Sequence, residues 1–149
     1  MAFFFILSAL SWICFICFAD KKKFREFYPT CLLAMYMAST VDFAAHHYDL
    51  WNYPAPSGKQ TYWYHLSQQL GLYPIVVYLF LQWLPQQQRF TRLTRYIFLW
   101  TVLAISLEWI AISGGYMEYK RWWNLGLSYI ADWILYFIFY WNYKWWSKF

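Results

Sequence analysis

Three observations predict an all-α, polytopic membrane bundle of five transmembrane helices, with the N-terminus outside and the C-terminus inside. The 149 residues are 62% apolar and 28% aromatic but only 13% charged, whereas about 25% of a soluble domain is charged. With so few polar side chains, much of the surface must face something other than water. Apolar stretches recur at lengths near the ~20 residues that cross a bilayer core. The twelve Lys and Arg fall in short clusters between those stretches, which is the pattern of topology signals and not of a nucleic-acid-binding stripe.

The expected spans are 2–19, 28–45, 70–84, 96–113 and 124–141, within one transmembrane domain covering 1–149. The first, AFFFILSALSWICFICFA, has eighteen residues and no charge. Lys21, Lys22, Lys23 and Arg25 follow it rather than precede it, so it is expected to remain as a span instead of leaving as a signal peptide. Cys14 and Cys17 have redox-motif spacing, but inside an apolar helix they read as small buried side chains. With Cys31 the cysteine count is odd, and no disulfide framework is implied.

The third span is short and contains Pro74. A proline in lipid needs a kink, a neighbouring helix or an outward extension, and TYWYHLSQQ at 61–69 is placed to supply an interfacial turn. The segment from His46 to His65, marked by Asp49, Pro56 and Gly58, is the one irregular loop. The closing NYKWWSKF reads as a basic, aromatic interfacial tail.

Charge counting supports this order. Lys21, Lys22, Lys23, Arg25, Arg89, Arg92, Arg95, Lys144 and Lys148 fall on one side and Lys59, Lys120 and Arg121 on the other. Lys and Arg collect in cytoplasmic loops, so nine against three sets the N-terminus outside. Trp51, Tyr53, Tyr62, Trp63, Tyr64, Trp122 and Trp123 flank outer ends. Trp83, Trp100, Trp141, Tyr143, Trp145 and Trp146 flank inner ones, as amphipathic rings at two interfaces do.

The polar residues inside the spans need a reason. Asp42 and His46 are four residues apart and share a helix face with Ala38 and Ala34, whose small side chains admit a neighbouring helix. Thr101, Ala104, Glu108 and Ala111 repeat the arrangement, and Asn124, Ser128 and Asp132 form a polar seam at four-residue steps. At ~1.5 Å per residue, the three carboxylates lie about one to two turns below the outer boundary. No Lys or Arg lies inside a span to neutralise them, and an isolated charge there is costly. They are expected to be protonated, to hold a cation, or to be met by Lys120 or Arg121 reaching in from the outer loop.

The candidate ligand-binding set is therefore Asp42, His46, Glu108, Asn124, Ser128 and Asp132. Three readings stand: an outward-facing pocket that binds or conducts a small ligand or cation, a structural or scaffolding network that locks helices together, and a small membrane metalloenzyme. In the last, Asp42, His46, Glu108 and Asp132 would ligate a divalent ion. No His-Glu-x-x-His motif or nucleophile beside a base accompanies them. His47 and Asp49 read as loop residues and His65 as an interfacial one. The pattern names no cofactor; the expected partners are the lipid bilayer and a homo-oligomer or larger membrane complex.

The order LWNYP at 50–54, LYPIVVYLFLQWLP at 72–85, LEW at 107–109 and YKRWWNLGLSYIADW at 119–133 resembles an uncharacterised family of small five-helix integral membrane proteins of spore-forming bacteria. The resemblance covers residues 28–146 and rests on Tyr73-Pro74, Pro85, Glu108, Tyr119, Trp122 or Trp123, and Ser128. It implies the five-helix architecture and residence in the cytoplasmic membrane, directs attention to Glu108 and residues 119–128, and carries no activity with it.

Overall fold

The computed structural model describes residues 3–54, 58–87 and 89–148, so Ala2, Pro56 and Phe149 of the expected segments lie outside the described residues. Long apolar stretches between short polar turns fold as helices. They are α1 (Phe3–Phe18), α2 (Phe24–Tyr48), α3 (Gly58–Ser67), α4 (Tyr73–Gln82), α5 (Phe90–Ser113) and α6 (Leu125–Trp146). The fold is all-α apart from a two-residue ribbon, β1 (Trp51–Asn52) against β2 (Glu118–Tyr119), antiparallel with Trp51 opposite Tyr119. Lys120 N–H extends the ribbon by donating to the Leu50 carbonyl at 2.7 Å.

The stretch around Pro74 is one continuous helical rod. Residues 61–69, expected as an interfacial turn, are helical, and α3 runs into α4 through a wide π turn, Gln68–Leu72. Pro74 has no N–H to return to the preceding turn. The chain answers by widening just before it: the Tyr73 N–H reaches the Gln68 carbonyl five residues back. Single π turns inside helices are how such mismatches are absorbed.

Two ends of the bundle are tied separately. At one, Gln82 accepts from the Asp20 N–H at 2.7 Å and donates to the Phe18 carbonyl, Tyr78 OH donates to the Asp20 carbonyl at 2.7 Å, and Tyr143 OH donates to Glu26 at 2.6 Å. At the other lie the ribbon, Phe4, Tyr53 and Tyr64. The cations of residues 21–25, 89–95 and 144–148 gather at the first end, and Lys59, Lys120 and Arg121 sit at the second. The buried core divides the same way. A large cluster includes Phe27, Tyr78, Phe80, Ile97 and Phe139, and a smaller one joins Phe4, Tyr53, Tyr64, Ala111 and Met117.

Taken singly, α5 is the one described helix long and apolar enough to cross a membrane. α1 and the stretch Lys21–Tyr48 reach that standard only together, and they are bent by 101° to one another. The shortfall has visible causes. α1 has 16 residues, which at ~1.5 Å each rise less than the ~30 Å of a hydrocarbon core. The π turn divides the third rod, and α6 mixes its Ile, Leu and Phe with Tyr, Trp, Asp132, Asn142 and Lys144.

Candidate functional site

A cavity of about 250 Å³ opens between the two buried clusters, walled by α1, α2, α4, α5 and α6. Asp42, Glu108, Asp132 and Ser128 all line it, together with Tyr53, Gln68 and Tyr73, and no Lys or Arg does. Three helices thus deliver one carboxylate each to a single space, in the half of the bundle that carries the ribbon.

Each carboxylate has a different environment. Asp42 Oδ2 lies 2.9 Å from His65 Nδ1, on the first half of the third rod, and the Tyr53 ring packs edge-on against His65 with centroids 4.9 Å apart. Glu108 Oε1 accepts from Tyr119 OH at 2.6 Å and from Ser128 Oγ at 2.9 Å. Trp123 Nε1 in turn donates to Ser128 Oγ at 2.9 Å, so the serine relays between the ribbon end and α5. Asp132 is half-buried and has no hydrogen bond among the described residues. It lies one turn below Ser128, within electrostatic reach of Glu108, and faces the cavity.

His46 does not join them. It is exposed at the end of α2, because the inward face there steps from Asp42 to buried Ala45, three residues on, and not to the residue four on. His47 is exposed too, and stacks edge-on with Tyr48. Asn124 is not part of a seam with Ser128: it precedes α6 in an extended conformation, and its Oδ1 accepts from the Gly126 and Leu127 N–H groups at 2.9 and 3.1 Å. The orphan donors of a helix start draw in an Asn of this kind, and the signal was present in the run Asn124-Leu125-Gly126. Lys120 and Arg121 do not reach the acids either; they sit 3.5 and 4.0 Å from Asp49 at the surface.

With His46 facing away, the proposed ligand set of the metalloenzyme reading is not assembled, and among the described residues no three His, Cys, Asp or Glu side chains converge to hold a metal. Three cavity residues escaped the sequence reading, Tyr53, Gln68 and Tyr73, as did His65, which holds Asp42 from beside the cavity. Their placement depends on the third rod docking against α2, which no local pattern announces. Burial, and then the Asp42 and Glu108 carboxylates, hold the Tyr53 phenol well above its ordinary pKa. Burial, and then its own hydrogen bond to Glu108, raises Tyr119.

Beneath Asp132 the lining holds no further acid or amide and is formed by Ala34, Met37, Val77, Leu135 and Phe139, with Tyr136 alongside. The acids thus lie in the upper part of the cavity, set among apolar side chains such as Phe4, Leu107, Ala111 and Met117, and none lies lower. Compared with protein-family models, curated proteins and solved structures, the chain matches none.

Proposed function

We propose that this chain is a multi-pass protein of the cytoplasmic membrane, crossing five times with the N-terminus outside, and that its cavity binds or conducts a small ligand or cation from the outer side. Exposed apolar side chains on every long helix support the membrane placement: Ile6 and Ile13 on α1, Leu32 and Phe43 on α2, Leu99 and Ile110 on α5, Ile130 and Ile134 on α6. The segregation of cations to the Gln82 end supports the orientation, and the family resemblance of residues 28–146 supports the same architecture. A homo-oligomer or larger membrane assembly fits the aromatic exterior.

One observation carries the binding reading: three carboxylates line one cavity that no Lys or Arg enters. Intramembrane acids without a fixed counter-ion mark ion or substrate sites. A structural reading is favoured at one of the three, since Glu108 Oε1 already accepts two hydrogen bonds that lock α5, the ribbon end and α6 together. The ligand-facing role then falls on Asp132, which lacks such bonds.

The test uses the full chain in proteoliposomes. Single cysteines at positions 120 and 144, in a background with Cys14, Cys17 and Cys31 replaced by Ser, are expected to label from opposite sides. Uptake or binding of sodium, potassium and methylammonium is expected to drop at least about tenfold in a folded Asp132→Asn variant. Same-side labelling overturns the topology, and wild-type protein indifferent to all three cations and to larger organic ammonium ions alike overturns the binding site.

A further inference from the structure

We infer that the cavity accepts a small organic ammonium ion, with the ammonium against Asp132 and an apolar body on the floor formed by Ala34, Val77, Leu135 and Phe139. The inference rests on the cation reading of the same cavity and adds the chemistry of the ligand.

Size comes first. A dry apolar cavity of ~150 Å³ admits benzene, so a space of about 250 Å³ is sized for a ring with a short chain. A bare metal ion would leave most of it empty. It would also lose its hydration without replacement, because no three ligating side chains converge among the described residues. Charge comes second. Asp42 is engaged by His65 and Glu108 by Tyr119 and Ser128, which leaves Asp132 as the one lining carboxylate without a hydrogen-bonded partner among the described residues. One free carboxylate matches one positive charge. An ammonium donates hydrogen bonds to it, and Tyr73, Trp123 and Tyr136 place aromatic rings in the same lining, where a cation is held over ring faces as well.

The walls below Asp132 supply the third argument. From Asp132 to Phe139, α6 descends seven residues, about 10 Å at ~1.5 Å per residue, with no further acid or amide in the lining below Asp132. Only a ligand with an apolar portion covers that depth and removes its surface from water. One unpartnered carboxylate bordered below by hydrocarbon matches the single charge and apolar body of an arylalkyl or alkyl ammonium.

The test is binding of phenethylammonium, methylammonium and phenethyl alcohol to the purified full chain in detergent, followed by calorimetry and by the emission of Trp51 and Trp123 in the cavity wall. Phenethylammonium is expected to bind at least about tenfold more tightly than either of the others. In Asp132→Asn that advantage over the alcohol is lost, and Asp132→Glu restores part of it. Should methylammonium bind as well as phenethylammonium, the apolar body is refuted while the cation site stands. Equal binding of the alcohol overturns the charge argument, and no binding of either ammonium by wild-type protein with an intact unfolding transition removes both the ligand class and the cation site. The wild-type comparison decides these outcomes even if the Asp132 variants fail to fold.

Discussion

His65 Nδ1 meets Asp42 Oδ2 at 2.9 Å, linking two rods through side chains that are only 26% and 11% exposed. The contact fastens the upper half of the third rod, just before its π turn, to the acidic wall of the cavity. Removing either partner leaves the other part-buried with an unmet hydrogen bond, so each single variant, Asp42→Ala and His65→Ala, is expected to lower stability by about 1 kcal/mol or more. The double variant should lose less than the sum, with a coupling of roughly 0.5–1.5 kcal/mol in a thermal unfolding cycle. His46→Ala, at an exposed position, should leave the transition within about 0.5 kcal/mol. Additive losses for Asp42 and His65 would show that the pair is not a working contact.

Around Glu108 the expected order of effects follows from who accepts and who donates. Tyr119→Phe deletes the 2.6 Å donor to the carboxylate and is expected to cost about 1.5–3 kcal/mol, the range for a hydrogen bond to a charged group. Glu108→Gln keeps an acceptor oxygen for both Tyr119 and Ser128, so its loss should be smaller. Chemical unfolding of the two variants in the same detergent gives the comparison. A larger loss for Glu108→Gln than for Tyr119→Phe contradicts the assignment of Oε1 as the shared acceptor.

The convergence of the acids was legible because it needs only helix rise and a count of cations: Asp42, Glu108 and Asp132 were expected at one level, and all three line the cavity. Ser128 was legible from its four-residue spacing to Asp132. His46 misled because four residues turn a helix by about 400° and three by about 300°, leaving two candidate inward faces that only the packing of Ala45 distinguishes. Asn124 shows the reverse, a capping signal readable in sequence but outweighed by an apparent seam. The ribbon and the His65 contact pair residues separated by long stretches of chain, and nothing in a two-residue strand or a single His reports its partner. The π turn is of this kind as well: Pro74 announces a disturbance, and the neighbouring helix decides its form.

Alkaline pH should destabilise the ribbon end. Tyr53 and Tyr119 have phenols raised above the ordinary value of 10.0, in both cases chiefly by burial. A group whose folded pKa lies above its unfolded one contributes stability that is complete below the unfolded value and lost as pH climbs toward the folded one. Stability is therefore expected to be flat with respect to these two groups up to about pH 10 and to decline above it. Tyr53→Phe and Tyr119→Phe should each shallow that decline. Phenolate absorbance followed together with unfolding tests this, and ionisation of both tyrosines near pH 10 with the fold intact would contradict it.

Gly71, in the π turn, lets α1 approach more closely than any side chain would allow. A Cβ built there stands 2.0 Å from Ser8 Oγ and 3.1 Å from Ser8 Cβ, and that same hydroxyl donates to the Ser67 carbonyl at 2.9 Å, tying α1 to the base of the turn. In Gly71→Ala the hydroxyl must rotate away and give up its bond, while α1 backs off by a few tenths of an ångström. Overpacking of this kind costs about 1–3 kcal/mol. Ser8→Ala alone should cost only the hydrogen bond, about 0.5–1.5 kcal/mol. Combining the two removes the severe 2.0 Å clash but keeps the 3.1 Å contact, so the double variant should be more stable than Gly71→Ala alone. If Gly71→Ala instead unfolds at the wild-type temperature, α1 does not sit against the π turn, and the wall it supplies to the cavity through Phe4 and Leu7 is displaced with it.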